Sequence, residues 1–212
     1  YAKERHQFER SISSFQGIQW MLADMATQVE AARALVYATA RMVDAGIKDV
    51  AKASAMSKMY ASDVAMKVAV DALQIFGGYG FIQEYPAERF YRDERINRIF
   101  EGTNEINRLL IPGMILTRSL KGELPLQREA MKAIEALMTP SLEESGDGGP
   151  FTAEKTLLAN LKKAFLVIAG SGVQKFMTTI KDEQEVLLAV ADIAINIFAI
   201  ESSVLRAEKI LP

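Results

Sequence analysis

The sequence predicts an all-α protein, an antiparallel helical bundle followed by an additional helical region. Two observations carry this. Ala, Leu, Met, Lys and Glu are plentiful while 13 Gly and 6 Pro are confined to a few places, so helix propensity stays high over long windows. Apolar residues also recur at three- and four-residue spacing through several long stretches. With 212 residues, 50% hydrophobic and 25% charged, the chain can bury a sizeable core.

From about Ile18 to Met42, Ile18, Leu22, Met25, Val29, Ala32 and Val36 draw one stripe down a long helix, with Gly46 as its C′ stop. A second helix runs from about Val50 to Phe76, with Met59, Met66, Ala69, Leu73 and Phe76 on one face. It ends at Gly77-Gly78, where positive φ is cheap, and should pair antiparallel with the first. Residues 77–103 are aromatic and irregular, with Arg89, Arg92, Arg95 and Arg98 interspersed, and read as an ordered connection. Thr103 is then an N-cap with Glu105 in the first turn, opening a helix through Ile106, Leu109, Leu110 and Ile115 to about Leu120, kinked at Pro112.

A sub-domain boundary falls near Lys121, dividing a bundle over 1–120 from a helical region over 121–212. Within the latter, a helix at about 126–138 precedes a Gly- and Pro-containing linker near 139–151. Helices at about 152–180 and 183–210 follow, the second with Asp182 as its cap.

Net charge is −2 with both signs interspersed, which excludes the basic face that nucleic-acid phosphates require. The chain has no Cys, so disulfides, thiolate catalysis and cysteine metal sites are excluded, and redox chemistry has to come from a cofactor. His6 is the lone histidine and reads by itself as a surface residue, so no metal site is expected. No apolar run of about 18 residues is evident, so a soluble protein is expected. The start Tyr-Ala-Lys-Glu carries neither an initiator Met nor a targeting pattern, and more chain is expected to precede it.

Chemistry is weakly signalled by spacing alone. Glu101, before Gly102 and a helix start, has the ordinary reading of a solvated or capping carboxylate beside a turn. Gly77-Gly78-Tyr79-Gly80 lacks the preceding strand of a dinucleotide fingerprint and reads as a tight turn, whose glycines would still allow close backbone approach to a ligand. The arginines of 89–98 read as a charged face paired with Glu84, Glu88, Asp93 and Glu94.

Several strings taken together carry more. Glu4-Arg5-His6-Gln7-Phe8, Asp71 to Phe81 with its Gln74-Ile75-Phe76-Gly77-Gly78 core, Glu84-Tyr85-Pro86, Tyr91-Arg92-Asp93 and Ile99-Phe100-Glu101-Gly102-Thr103-Asn104-Glu105-Ile106 occur in one order. In that order and spacing they resemble the signature of acyl-CoA dehydrogenases. Residues 121–212, notably Leu120-Lys121-Gly122-Glu123 and the last two helices, resemble the extra helical region of the very-long-chain branch.

The resemblance implies a flavin enzyme of fatty acid β-oxidation, acting on fatty acyl-CoA and passing electrons to an electron-transferring flavoprotein. In it Glu101 is the catalytic base that removes the α-proton, while the β-hydrogen leaves as hydride to FAD and a trans-2-enoyl-CoA results. Enclosed between an acyl chain and the flavin, such a base is expected to be partly desolvated. Glu101 and Gly102 also face the substrate, because the backbone N–H of the base helps polarise the thioester carbonyl as half of an oxyanion hole. Arg5, His6, Gln7, Phe15 and Gln16 match positions that meet FAD across a homodimer interface, as do Gln74, Ile75, Phe76, Gly77 and Gly78. Gly102, Thr103, Asn104 and Glu105 match positions around the flavin beside the base. Where the family usually follows Arg-x-x-Phe with Gly, Glu9 stands here.

The missing portion would supply most of the acyl-CoA pocket, so this stretch alone is expected to be inactive. A non-catalytic helical scaffold or assembly factor of the same descent is the alternative, against which the retention of Glu101 argues. Peripheral membrane contact through 139–151 is disfavoured, since Glu143, Glu144 and Asp147 would be repelled by anionic lipid. A bacterial source would place the protein in the cytoplasm, the favoured reading, and a eukaryotic one in the mitochondrion.

Overall fold

The computed structural model describes residues 1–138 and 148–211. Residues 139–147 of the expected linker, with Pro140, Glu143, Glu144, Gly146 and Asp147, lie outside the described residues. The all-α expectation holds. Among the described residues the helices are α1 (Gln16–Asp44), α2 (Ala51–Phe76), α3 (Gly78–Phe81), α4 (Pro86–Asn97), α5 (Asn104–Leu120), α6 (Leu126–Met138), α7 (Thr152–Phe176) and α8 (Gln184–Ile210). Short 3₁₀ turns occupy Ile12–Ser14 and Met177–Asp182. A two-stranded antiparallel hairpin, His6–Gln7 with Arg10–Ser11, precedes them. Phe8 and Glu9 at its tip have φ of 51° and 65°, consecutive positive values of the kind a tight hairpin turn needs. Glu9 therefore adopts the conformation for which glycine is the usual choice.

Helix α1 ends as expected, with Gly46 at C′: its N–H donates to Val43 O and the N–H of Ile47 to Met42 O. Its buried face follows the expected stripe only in part: Ile18, Met25, Val29 and Ala32 are half-buried. Leu35, with no exposed surface, and Ala34 and Thr39 face inward, whereas Leu22 and Val36 are exposed. The C-terminal half of α1 is buried between α2 and α8, so neighbours on two sides, and not one apolar stripe, decide the orientation. Thr39 and Ser57 hydrogen bond at 2.7 Å across the α1–α2 contact.

Helix α2 is the centre of the molecule, packing on α1, α4, α5 and α8. Its Ala55, Met56 and Met59 meet Ile111 of α5 and Ala191 and Ile195 of α8 in one apolar cluster. The small residues at this junction let three helices approach closely, and truncating Ile111 or Ile195 to Ala would cost roughly 2–5 kcal/mol. A second cluster joins Leu126 of α6, Ala169 of α7 and Val190 of α8. Helices on either side of Lys121 thus bury their apolar surface against one another.

The 77–103 connection is more regular than its sequence suggests. Pro86 opens α4 at the first turn, where its missing N–H costs nothing, and only Ala87 of this polar helix is buried. Helix α5 runs unbroken through the expected kink site Pro112. Asp182 closes the 3₁₀ turn before α8 and does not cap it; Glu183 holds the N-cap position without a side-chain cap bond. The absence of a membrane-length apolar stretch is also corrected, because Thr152–Asp182 and Gln184–Ile210 both meet the length and hydropathy required. In α8 those apolar residues, Leu187, Val190, Ala191 and Ile195 among them, are spent on the core.

One contact between α6 and α7 tolerates no side chain. A Cβ built on Gly170 would lie 2.4 Å from Cβ of the buried Ala130. Gly170→Ala is expected to lower stability by about 1–3 kcal/mol from overpacking, against roughly 1 kcal/mol of helix propensity gained. Thermal unfolding of this variant and of Gly170→Ala combined with Ala130→Gly checks it. The single change should lower the midpoint, and the double change should restore part of the loss.

Candidate active site

The expected residues gather at two places along α2, its C-terminal end and its N-terminal half. At its C-terminal end, Arg5, Gln7, Ile75, Phe76, Gly77 and Gly78 line a groove of about 610 Å³ together with Tyr1 and Tyr79. Aromatic contacts build its floor. Tyr1 stacks on Phe76 at 4.2 Å and donates its hydroxyl to Phe76 O at 3.1 Å, while Tyr85 meets the rings of both Phe76 and Tyr79. Arg5 lies 5.5 Å above the Tyr79 ring, a cation–π contact that steers the guanidinium over the groove.

Gly77 adopts φ 62° and ψ −139°, a conformation essentially reserved for glycine. A Cβ on either Gly77 or Gly78 would meet nothing within 4 Å, so their backbone is open to close approach by a ligand. His6 hydrogen bonds Glu4 O and does not line this groove. Neither Phe15, packed between Phe8 and Arg10, nor Gln16 and Gln74 line it.

Against the N-terminal half of α2, α4 hands over to α5 through a compact turn. Asn104 N–H donates to Arg98 O at 3.1 Å and closes it. Inside the turn Glu101 has φ 55° and Gly102 φ 83°, two consecutive left-handed residues. For Glu101 this costs about 1–2 kcal/mol, a strain that persists only where neighbours over-determine it. They do so here. Gly102 O accepts Lys58 Nζ at 2.8 Å and Asn107 Nδ2 at 2.7 Å. Thr103 caps α5 as expected, its Oγ1 accepting the Ile106 N–H at 3.2 Å.

Asn104 is the hub beneath. It has no exposed surface; its Nδ2 donates to Ser62 Oγ and Asp63 Oδ1 at 2.9 Å each, and its Oδ1 accepts Lys58 Nζ at 2.8 Å. Asp63 holds Arg98 Nε at 2.6 Å and an Arg108 nitrogen at 3.3 Å, and Arg108 reaches Asp192 of α8 at 2.6 Å. The turn is thereby tied to three helices.

One expectation is corrected. Asn104 offers a flavin no contact surface, because it is wholly buried and bonds Met59 O, Ser62, Asp63 and Lys58. Glu101 is exposed in this chain. Among the described residues the Glu101 N–H donates to no acceptor in the chain. Glu105 is held below the usual carboxylate range by its own backbone N–H at the helix start and by the Thr103 hydroxyl. Lys58, Ser62, Asp63, Asn107 and Arg108 went unread in the sequence, where nothing marks a polar residue on one helix as the partner of a turn far along the chain. Of the arginines expected to pair locally, Arg89 and Arg92 do so with Asp93 and Glu88, whereas Arg98 pairs with Asp63.

The family described as acyl-CoA dehydrogenase, C-terminal domain, matches residues 1–115, and a second family of the same description matches residues 160–212. A probable acyl-CoA dehydrogenase of Bacillus subtilis is 41% identical over 99% of this chain and 38% of its own length. The crystal structure of an acyl-CoA dehydrogenase complexed with FAD from Bacillus anthracis superposes with a TM-score of 0.91 at 44% identity, covering 99% of this chain and 38% of that one. The caffeyl-CoA reductase–Etf complex subunit CarC of Acetobacterium woodii is 48% identical over 56% of this chain and 31% of its own. The chain therefore spans well under half the length of these relatives.

Proposed function

The chain belongs to the acyl-CoA dehydrogenase family, and from that premise we propose that it forms the C-terminal part of an FAD-dependent enzyme in which Glu101 is the base that abstracts the α-proton of a fatty acyl-CoA. The observation that carries this reading is the turn itself. A carboxylate projects from a backbone locked in the left-handed region, beside its own unpaired N–H. A thioester carbonyl placed on that N–H would bring its α-carbon toward the Glu101 carboxylate, so one residue both acidifies the proton and accepts it. Because Glu101 is exposed in this chain, exclusion of water from its carboxylate falls to substrate, flavin and further protein surface.

The groove at the far end of α2 fits a flavin dinucleotide: bare glycine backbone for close approach, aromatic walls, and Arg5 as a cation for the diphosphate. FAD, when bound, supplies the acceptor for the β-hydride. From Lys58, which holds the base turn, to Phe76 at the groove is 18 residues of helix, roughly 27 Å at 1.5 Å per residue. That separation favours a homodimer in which one subunit gives the base with Gly102, Thr103 and Glu105, and its partner gives Arg5 and Ile75 to Gly78.

Long-chain fatty acyl-CoA as substrate, and membership of the very-long-chain branch, rest on the resemblance of 121–212 to the extra helical region of that branch. An electron-transferring flavoprotein is the proposed acceptor, in keeping with the Etf complex to which the Acetobacterium woodii relative belongs. The setting proposed is fatty acid β-oxidation, in the cytoplasm of a bacterial source or the mitochondrion of a eukaryotic one.

The test is anaerobic titration of the full-length flavoprotein with a ladder of acyl-CoA chain lengths. Bleaching of the oxidised flavin band, strongest with long chains, is the expected result. No bleaching by any acyl-CoA would instead identify a helical scaffold without turnover.

A further inference from the structure

A base carried on two consecutive left-handed residues has to be held there, and the hold is applied at one atom. Gly102 O receives two side-chain donors, Asn107 Nδ2 at 2.7 Å and Lys58 Nζ at 2.8 Å. Asn107 stands on α5, the helix that the turn itself opens, so it moves with the turn. Lys58 stands on α2, a separate element at the centre of the core. Its ammonium is not free to swing, because a second bond runs to Asn104 Oδ1 at 2.8 Å, and Asn104 is fixed in turn by Ser62 and Asp63.

We propose that Lys58 is the positioning residue for the reaction, clamping the Gly102 carbonyl to α2 and so setting the direction of the Glu101 carboxylate and N–H. It touches no reacting atom and acts through the Gly102 carbonyl, steadied by its bond to Asn104; the proposal rests on Glu101 being the base. Partial burial pushes the Lys58 ammonium below its ordinary pKa against the attraction of Asp63, Glu105 and Glu101, as befits a cation that has exchanged water for fixed acceptors.

The full-length, FAD-loaded enzyme is mixed anaerobically with acyl-CoA, and flavin reduction is followed for wild type, Lys58→Met, Lys58→Arg and Glu101→Gln. Displacing a reacting group by an ångström or so lowers rates by about a hundredfold, so Lys58→Met should slow maximal reduction by about tenfold to a hundredfold. Its flavin content and half-saturating acyl-CoA concentration should stay within about threefold of wild type, because binding common to ground and transition state is untouched. Lys58→Arg, which keeps the charge and donors, should recover most of the rate. Wild-type reduction in Lys58→Met, a loss that merely tracks lost flavin, or an arginine variant as slow as the methionine one would overturn the clamp. Should Lys58→Met fail to load flavin, Lys58→Gln is judged by the same rate-against-affinity criterion. Undiminished reduction in Glu101→Gln would sink the base assignment instead, an outcome separable from wild-type reduction in Lys58→Met alone.

Discussion

Glu101→Gln is expected to leave FAD and acyl-CoA bound while lowering the rate of flavin reduction by roughly a thousandfold, since a positioned general base contributes about 10²–10⁴. The amide keeps the size of the carboxylate and removes its basicity. Nothing that shapes the turn depends on the side chain: the clamps from Lys58 and Asn107 grip Gly102 O, the Thr103 cap lies beyond, and Asn104 bonds sideways into α2. The backbone N–H of residue 101 is likewise unchanged, so carbonyl polarisation survives without a proton acceptor. Stopped-flow reduction at saturating acyl-CoA, with the spectrum of bound flavin recorded beforehand, measures both halves of the expectation. Reduction at the wild-type rate would remove Glu101 from the mechanism.

Asn104→Ala is expected to be among the most destabilising exposure-neutral changes in the chain, at about 3 kcal/mol, because each buried polar partner left without its bond costs roughly 1–3 kcal/mol. Ser62, itself buried, loses both a donor and an acceptor, and a cavity opens where no solvent reaches. Lys58 and Asp63 are partly exposed and can turn to water, which limits the total. The unfolding midpoint should fall, by less per kcal/mol than the roughly 2–4 °C of a 150–250-residue domain because the full-length protein is larger. Calorimetry of the full-length variant gives the value. A change of less than about 0.5 kcal/mol, the range of ordinary surface substitutions, would mean the network is not cooperative.

The sequence and the structure agree where local chemistry decides. Thr103 before an apolar-periodic run, Gly46 after one and the Gly77-Gly78 break all mark helix ends through interactions within a few residues, and each is found in place. Agreement fails where distant neighbours decide. Leu22 and Val36 fit the apolar stripe yet are exposed, because α8 approaches α1 from a side that no periodicity in α1 reveals, and Leu35 is buried instead. Helix α4 was hidden for a related reason: a helix that buries only Ala87 has almost no apolar period to detect. At the candidate site, Glu101 was legible only through the strings around it. The network beneath was not, because Lys58, Asp63 and Asp192 are ordinary helix-surface residues until three helices are brought together. Asn104 shows the cost of reading a string as a set of ligands, since the matched residue serves the turn and not a cofactor.

Helix α2 carries Lys58, which holds the Glu101 turn, in its first half and the groove beside Gly77 and Gly78 at its C-terminal end, with an unbroken run of hydrogen-bonded turns between them. It is therefore a ruler as well as a scaffold. Adding or deleting one residue between Lys58 and Phe76 would shift one end by about 1.5 Å and rotate it by roughly 100° relative to the other, because each residue of an α-helix advances by that much. Changes of length are tolerable at the connection 45–50 before α2, where the chain is exposed, and forbidden within the helix. The number of residues from 58 to 76 is thus a constraint on the protein in its own right, independent of their identity.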